Sequence, residues 1–133
     1  MRGIDVIVEE VGPRGEIAVV RVTGYVDTTT SHELEKKINS ILERRIYNIV
    51  VDLSGVDYVS SAGWGIFIGE IREIREQGGD LKLAGMSPDV YEVFELLEFQ
   101  NILEAYATAA DAVERFESEL AGPGGARRVA DAG

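Results

Sequence analysis

Two segments concentrate the hydroxyls, carboxylates and glycines that chemistry needs. One is Gly24-Tyr25-Val26-Asp27-Thr28-Thr29-Thr30, and the other is Asp57-Tyr58-Val59-Ser60-Ser61-Ala62-Gly63-Trp64-Gly65. Ser60 and Ser61 stand where a helical apolar pattern begins. The first turn of a helix has backbone N–H groups with no internal acceptor and carries partial positive charge. A phosphate on Ser61 would be held by those donors. On residue types alone the plainer reading is that a serine here only caps the helix. Gly63 and Gly65 each cost a helix interior ~1 kcal/mol. They either let a partner backbone approach or let the helix pack close to a sheet. Trp64 is a core residue or a contact. Asp27 and Thr28 to Thr30 suit a turn that ends in a helix cap, or a binding loop.

The composition closes off most catalytic classes. The chain has 133 residues, no cysteine and one histidine. There is therefore no thiolate nucleophile or thiolate metal site, and His32 is expected on a solvated helix face. Asp52 and Asp57 are expected to solvate or cap rather than bind metal. No phosphate-binding loop, dinucleotide fingerprint or nucleophile elbow is present. We expect no enzyme activity, no cofactor and no metal. The formal net charge is −11, which opposes direct binding to nucleic acid or anionic lipid. The N-terminus lacks the apolar stretch of a signal peptide, and no window approaches the ~20 apolar residues of a membrane span. A cytoplasmic protein without membrane insertion is expected.

Elements that would position the two segments follow from periodicity. Ile4 to Glu9 and the valine-rich Glu16 to Val22 read as strands joined by the turn Gly12-Pro13-Arg14-Gly15, an antiparallel hairpin. Leu34, Ile38, Ile41 and Leu42 form one stripe of a helix from Ser31 to Arg45. Asn48 to Leu53 is apolar until Asp52, as in a strand covered on both faces. Ser54 to Ser60 reads as a loop. Trp64, Phe67, Ile68, Ile71 and Ile74 give a helix from about Ser61 to Gln77, stopped by Gly78-Gly79. Leu81 to Ala84 is a strand. Ser87-Pro88 opens a helix with Val90, Phe94 and Leu97 inside. Ile102 to Tyr106 is a further strand. Thr108 and Asp111 resemble a capping box for a last helix with Val113, Phe116 and Leu120 facing in. Residues 1–121 form one domain, and the Gly-rich 122–133 are expected to be a disordered tail.

The order β-β-α-β-α-β-α-β-α predicts an α/β fold: a mixed, mostly parallel five-stranded sheet with helices packed on it. Partners of open α/β sheets use the rim at the carboxyl ends of the strands. That rim should bring the Asp27 and Ser61 segments together, with the Gly85-Met86-Ser87-Pro88 loop beside them. A flavodoxin-like or receiver-like module shares this element pattern. It would need a paired-aspartate loop after the first strand and a lysine ending a later one. Here a hairpin follows the first strand, and Lys82 lies inside a strand.

The run Val50-Val51-Asp52-Leu53-Ser54-Gly55-Val56-Asp57-Tyr58-Val59-Ser60-Ser61-Ala62-Gly63-Trp64-Gly65 resembles the signature of STAS domains. In that family an apolar strand ends in Asp-Leu-Ser, and Asp-Ser-[Ser/Ala]-Gly-Leu-Gly opens a helix. Val22 to Asp27 resembles the family's earlier Gly-x-x-Asp element, and the likeness covers about residues 4 to 120. Two positions depart from the pattern: Ser60 replaces the aspartate before the serine, and Trp64 replaces the leucine. The first removes a charge beside the acceptor hydroxyl and leaves Ser60 as a second candidate.

The resemblance implies an anti-sigma factor antagonist working by partner switching. Such a protein binds an anti-sigma factor that is also a serine kinase. It is released when the serine matching Ser61 is phosphorylated, and a PP2C-type phosphatase resets it. The docking surface so implied comprises Asp27, Thr28, Thr29, Asp57, Tyr58, Ser60, Ala62, Gly63, Trp64 and Ser87. The alternative is a non-phosphorylated STAS scaffold subunit of a larger signalling or lipid-transport assembly.

Overall fold

The computed structural model describes residues 3–121. Residues 122–133, expected to form the tail, lie outside the described residues. The elements are β1 (Ile4–Val11), β2 (Ile17–Val26), α1 (Ser31–Glu43), β3 (Asn48–Val59), α2 (Ser61–Glu76), β4 (Asp80–Ala84), α3 (Pro88–Leu96), β5 (Glu104–Tyr106) and α4 (Ala109–Leu120). A 3-10 turn, Phe99–Asn101, lies between α3 and β5.

The sheet order is β1-β2-β3-β4-β5. Only the β1–β2 hairpin is antiparallel, and the three pairs that follow are parallel. Alternation along each strand divides the core. Ala18, Val20, Val22, Ile49, Val51, Leu53, Leu81 and Leu83 face the layer of α1, α2 and α3. Ile17, Val19, Val50 and Ala84 face the other way, where α4 contributes Ala112 and Phe116. The apolar runs of β2 and β3 are thus explained by helices on both faces.

α1 buries the predicted stripe Leu34, Ile38, Ile41 and Leu42. α2 buries Trp64, Phe67, Ile71 and Ile74, and Ile68 is half-buried at the edge of the same core. Burying a side chain such as Phe67 stabilises by ~1.5–3 kcal/mol, so this stripe locks α2 onto the sheet.

Three expectations need correction. Ser54 to Val59 is not a loop but the continuation of β3, because Gly55, Val56, Tyr58 and Val59 pair with Thr23, Gly24, Tyr25 and Val26 across register shifts in β2. Gly55 lies close under β2: a Cβ there would lie 3.0 Å from Thr23 Oγ1. Leu97 and Leu120 do not face in, being 50% and 37% exposed. Leu97 caps a helix that has already ended, and Leu120 sits in the last turn of a helix whose burial stops at Phe116. The fifth strand begins at Glu104, since Phe99–Asn101 and Ile102 form the turn that leads to it.

Lys82 is the one charged side chain with no exposure among the described residues. Its ammonium meets Glu104 at 2.7 Å, Asp80 at 3.3 Å and Glu119 at 3.4 Å, and lies 4.6 Å from the Phe116 ring centre. It therefore ties β4, β5 and α4 together. Burial pulls its pKa down, but the Glu104 hydrogen bond and the charges of Asp80 and Glu119 outweigh this and hold it above its ordinary value.

Candidate functional site at the mouth of α2

The end of β3 delivers two adjacent serines with different roles. Ser60 is extended, with φ −81° and ψ 174°, and is the N-cap of α2. Its hydroxyl accepts the Gly63 N–H at 3.4 Å, and its carbonyl accepts the Trp64 N–H at 3.0 Å. Ser61 is the first helical residue and is exposed. Its hydroxyl has no hydrogen-bond partner among the described residues. The cap function is therefore satisfied by Ser60, which leaves Ser61 free at the positive end of α2.

The Ser60 N–H donates to the Val26 carbonyl at 2.8 Å, which fastens the start of α2 to the end of β2. The chain leaving Val26 folds at once into a tight turn. The Asp27 carboxylate accepts the Thr29 N–H at 2.9 Å, the Thr29 hydroxyl at 2.8 Å and the Thr30 N–H at 3.2 Å. The Thr30 hydroxyl donates to the Tyr25 carbonyl at 2.6 Å and accepts the Asp27 N–H at 3.0 Å. The Thr29 hydroxyl and these N–H groups hold the Asp27 carboxyl below its ordinary pKa, so it stays ionised. Thr28 and Thr29 remain exposed, as do Asp57 and Tyr58. The Asp27 turn and the α2 mouth are thus neighbours, far apart in sequence but joined by the β2–β3 pairing.

Three of the expected contacts stand differently. Trp64 is only 3% exposed, so its side chain is not available as a docking surface. It packs against Phe99 at 5.4 Å, Phe94 at 5.9 Å and Phe67 at 6.1 Å between ring centres. Its indole N–H is the single buried side-chain polar atom left without a partner among the described residues. Gly63 is buried: a Cβ would meet Val26 Cγ1 at 2.6 Å and Val59 Cγ1 at 2.9 Å. This glycine lets α2 lie close to the sheet and does not receive a partner backbone. Gly65 is exposed with nothing within 4 Å of its would-be Cβ. Ser87 caps α3, accepting the Val90 N–H at 3.2 Å. It leaves the sheet early, because β4 stops at Ala84 opposite Asp52 while β3 runs on to Val59. The rim is stepped, and the Ser87 loop is on its lower step. Ala62 is half-buried on the helix.

Sequence reasoning missed a second feature on the α4 face. A groove of about 680 Å³ there is lined by Glu9, Arg21, Asp52, Thr108, Glu114 and Glu117 among others. The guanidinium of Arg21 lies 3.1 Å from both Asp52 and Glu9. Asp52 also accepts the Ser54 N–H at 3.0 Å. The β2–β3 register, which puts Arg21 opposite Asp52, is what brings the pair together. In the sequence only the opposite charges hint at it.

Comparison with known proteins agrees with this architecture. The family model described as "STAS domain" matches residues 10–112. The chain is 26% identical over 95 residues to the anti-sigma-B factor antagonist of Bacillus subtilis, covering 71% of this chain and 86% of that protein. It is similar in fold to the crystal structure of an anti-sigma factor antagonist from Mycobacterium paratuberculosis, with TM-score 0.76, 24% identity and coverage of 84% and 92% of the two chains. It is also similar to the Bacillus cell fate determinant SpoIIAA in its phosphorylated form, with TM-score 0.65, 23% identity and coverage of 84% and 98%. The family model spans most of the described residues, and the solved structures share the overall fold: the chain belongs to the STAS domain family.

Proposed function

We propose that this chain is an anti-sigma factor antagonist of the bacterial cytoplasm. It binds an anti-sigma factor that is also a serine kinase and loses that partner when Ser61 is phosphorylated. A PP2C-type phosphatase restores it. The observation that carries this reading is the division of labour at the α2 mouth: Ser60 is used as the cap, while the Ser61 hydroxyl is exposed and unbonded. The relatives' names, and the phosphorylated form of SpoIIAA among the similar folds, support it.

The switch is electrostatic. An unmodified mouth presents neutral hydroxyls and the ionised Asp27. A phosphate adds about −1.5 to −2 charge at neutral pH. The free N–H groups of the first α2 turn can hold it. A partner surface shaped for a hydroxyl must then desolvate a dianion without a matching cation. Losing ~3 kcal/mol of binding weakens affinity more than a hundredfold.

The test is mass spectrometry after incubation with the cognate kinase and Mg-ATP. Phosphate on Ser61 is the expected result; phosphate on Ser60, or none, defeats the reading. Ser61→Ala should bind the kinase whether or not ATP is present, and Ser61→Asp should bind poorly.

A further inference from the structure

α3 is acidic and apolar at once on its outer side, and no other element among the described residues covers that side. From Ser87 to Glu98 the chain carries Asp89, Glu92, Glu95 and Glu98 with no lysine or arginine. None of these four carboxylates has an ion pair or side-chain hydrogen bond among the described residues. Between them Leu96 is 77% exposed, Leu97 50% and Val93 39%. Residues 91–102 hold five of the eight large apolar side chains exposed among the described residues, so the exposure is concentrated here. Val93, Leu96 and Leu97 are spaced i, i+3, i+4 and share one side of the helix. Asp89 stands one turn before Val93, and Glu92 one turn before Leu96, so carboxylates border that stripe. Val90 and Phe94 hold the inner side, where Phe94 packs on Trp64.

We propose that the outer face of α3 is a docking surface, separate from the Ser61 site, for a protein segment that presents leucine-like side chains rimmed with lysine or arginine. The apolar stripe supplies the contact area, and the unpaired carboxylates set the charge of what can cover it. A second copy of this chain does not fit. An isologous contact would bring two copies of this face together, each with four carboxylates and no lysine or arginine, on molecules of net charge −11. Nucleic acid and anionic membranes are repelled by the same groups.

The probe is a 14-residue amphipathic helical peptide of leucine and lysine, titrated into the isotope-labelled full chain and followed by amide NMR shifts. A leucine–glutamate peptide of the same pattern is the control. Shift changes should centre on residues 89–102, and the control should not bind. The double variant V93S/L96S, at exposed positions that leave the core untouched, should lose at least tenfold in affinity. D89N/E92Q should bind with a shallower salt dependence, and S61D should bind as the unmodified chain does. Changes spread over the whole acidic surface, centred on α2, or equal for both peptides would overturn the proposal. So would a concentration-dependent dimer that L96S dissociates, since the face would then belong to a second copy. The S61D arm keeps this result apart from the phosphorylation switch.

Discussion

Two glycines one half-turn apart in α2 should respond oppositely to the same substitution. A methyl group on Gly63 would lie 2.6 Å from Val26 Cγ1, 2.9 Å from Val59 Cγ1 and 3.3 Å from the Val26 carbonyl oxygen. Carbon atoms pack best at ~3.5–4.0 Å, so the overlap with each valine is about 1 Å. Valine has one strongly preferred rotamer and cannot swing aside cheaply. The Val26 carbonyl is also the acceptor for Ser60, so moving it strains the α2 start. Overpacking of this kind costs ~1–3 kcal/mol. Alanine's better helix propensity returns at most ~1 kcal/mol. Gly63→Ala should therefore destabilise by about 2 kcal/mol, in the upper part of the remaining range. Gly65→Ala meets nothing within 4 Å and should stabilise by up to ~1 kcal/mol. The two differ by about 3 kcal/mol, which at a urea m-value of ~1–3 kcal/mol/M separates their midpoints by about 1–3 M. The assay is urea unfolding followed by the fluorescence of the single tryptophan. A Gly63→Ala midpoint equal to or above that of Gly65→Ala, at unchanged m, would refute the packing argument.

Further outcomes follow from the same geometry. Ser60→Ala should cost about 0.5–1 kcal/mol, the low end for a cap because its bond is 3.4 Å long, while Ser61→Ala should leave stability unchanged. Thermal or urea unfolding of the two variants checks this. Lys82→Met should destabilise at neutral pH by about 2 kcal/mol, below the usual ~3–5 for a broken buried pair because its partners are 18%, 47% and 33% exposed. The wild-type margin over that variant should depend on pH. Burial pushes the Glu104 pKa up, but hydrogen bonds from Lys82 and Tyr106 outweigh this and hold it below its ordinary value. Its contribution is full above the unfolded pKa and is lost as pH falls through the lower folded one. Lys82, whose pKa is raised, contributes fully below its unfolded pKa and loses this as pH rises through the higher folded value. A margin that is flat with pH would contradict the assignment. Trp64→Phe should be within about 1 kcal/mol of neutral, because it removes an unpartnered buried donor along with some packing, whereas Trp64→Ala should cost ~3–5 kcal/mol. Denaturation followed by circular dichroism measures both.

What the sequence disclosed was whatever periodicity controls. The stripes of α1 and α2, the caps at Ser87 and Thr108, and the hairpin before the parallel strands are all local patterns. The pairing of the Asp27 and Ser61 segments was legible because both follow parallel strands. What was hidden depended on contacts between distant elements. Ser54-Gly55 has turn composition, yet the end of β2 offers it hydrogen-bond partners and converts it to strand. Whether Trp64 faced in or out turned on where α3 and the 3-10 turn would lie, and no spacing within α2 reveals that. Gly63 and Gly65 look alike in sequence, and only the nearness of Val26 and Val59 separates them. Lys82 sits in an apolar strand as if misplaced, and its three carboxylate partners come from three different elements.

The stepped rim has a mechanical consequence. Among the described residues, β3 beyond Asp52 is hydrogen-bonded to β2 alone, and the β1–β2 pairing ends at Gly24. The serine pair therefore rides on a two-stranded cantilever projecting from a five-stranded body. Val26, Val56 and Val59 anchor it in the core, but with fewer strand partners its backbone should open at lower free energy than the body behind it. Amide exchange should be faster at Val56–Val59 than at Ile49–Asp52. On the function proposed above, a kinase acting at Ser61 would meet a pliable strand end without having to unfold the platform that carries it.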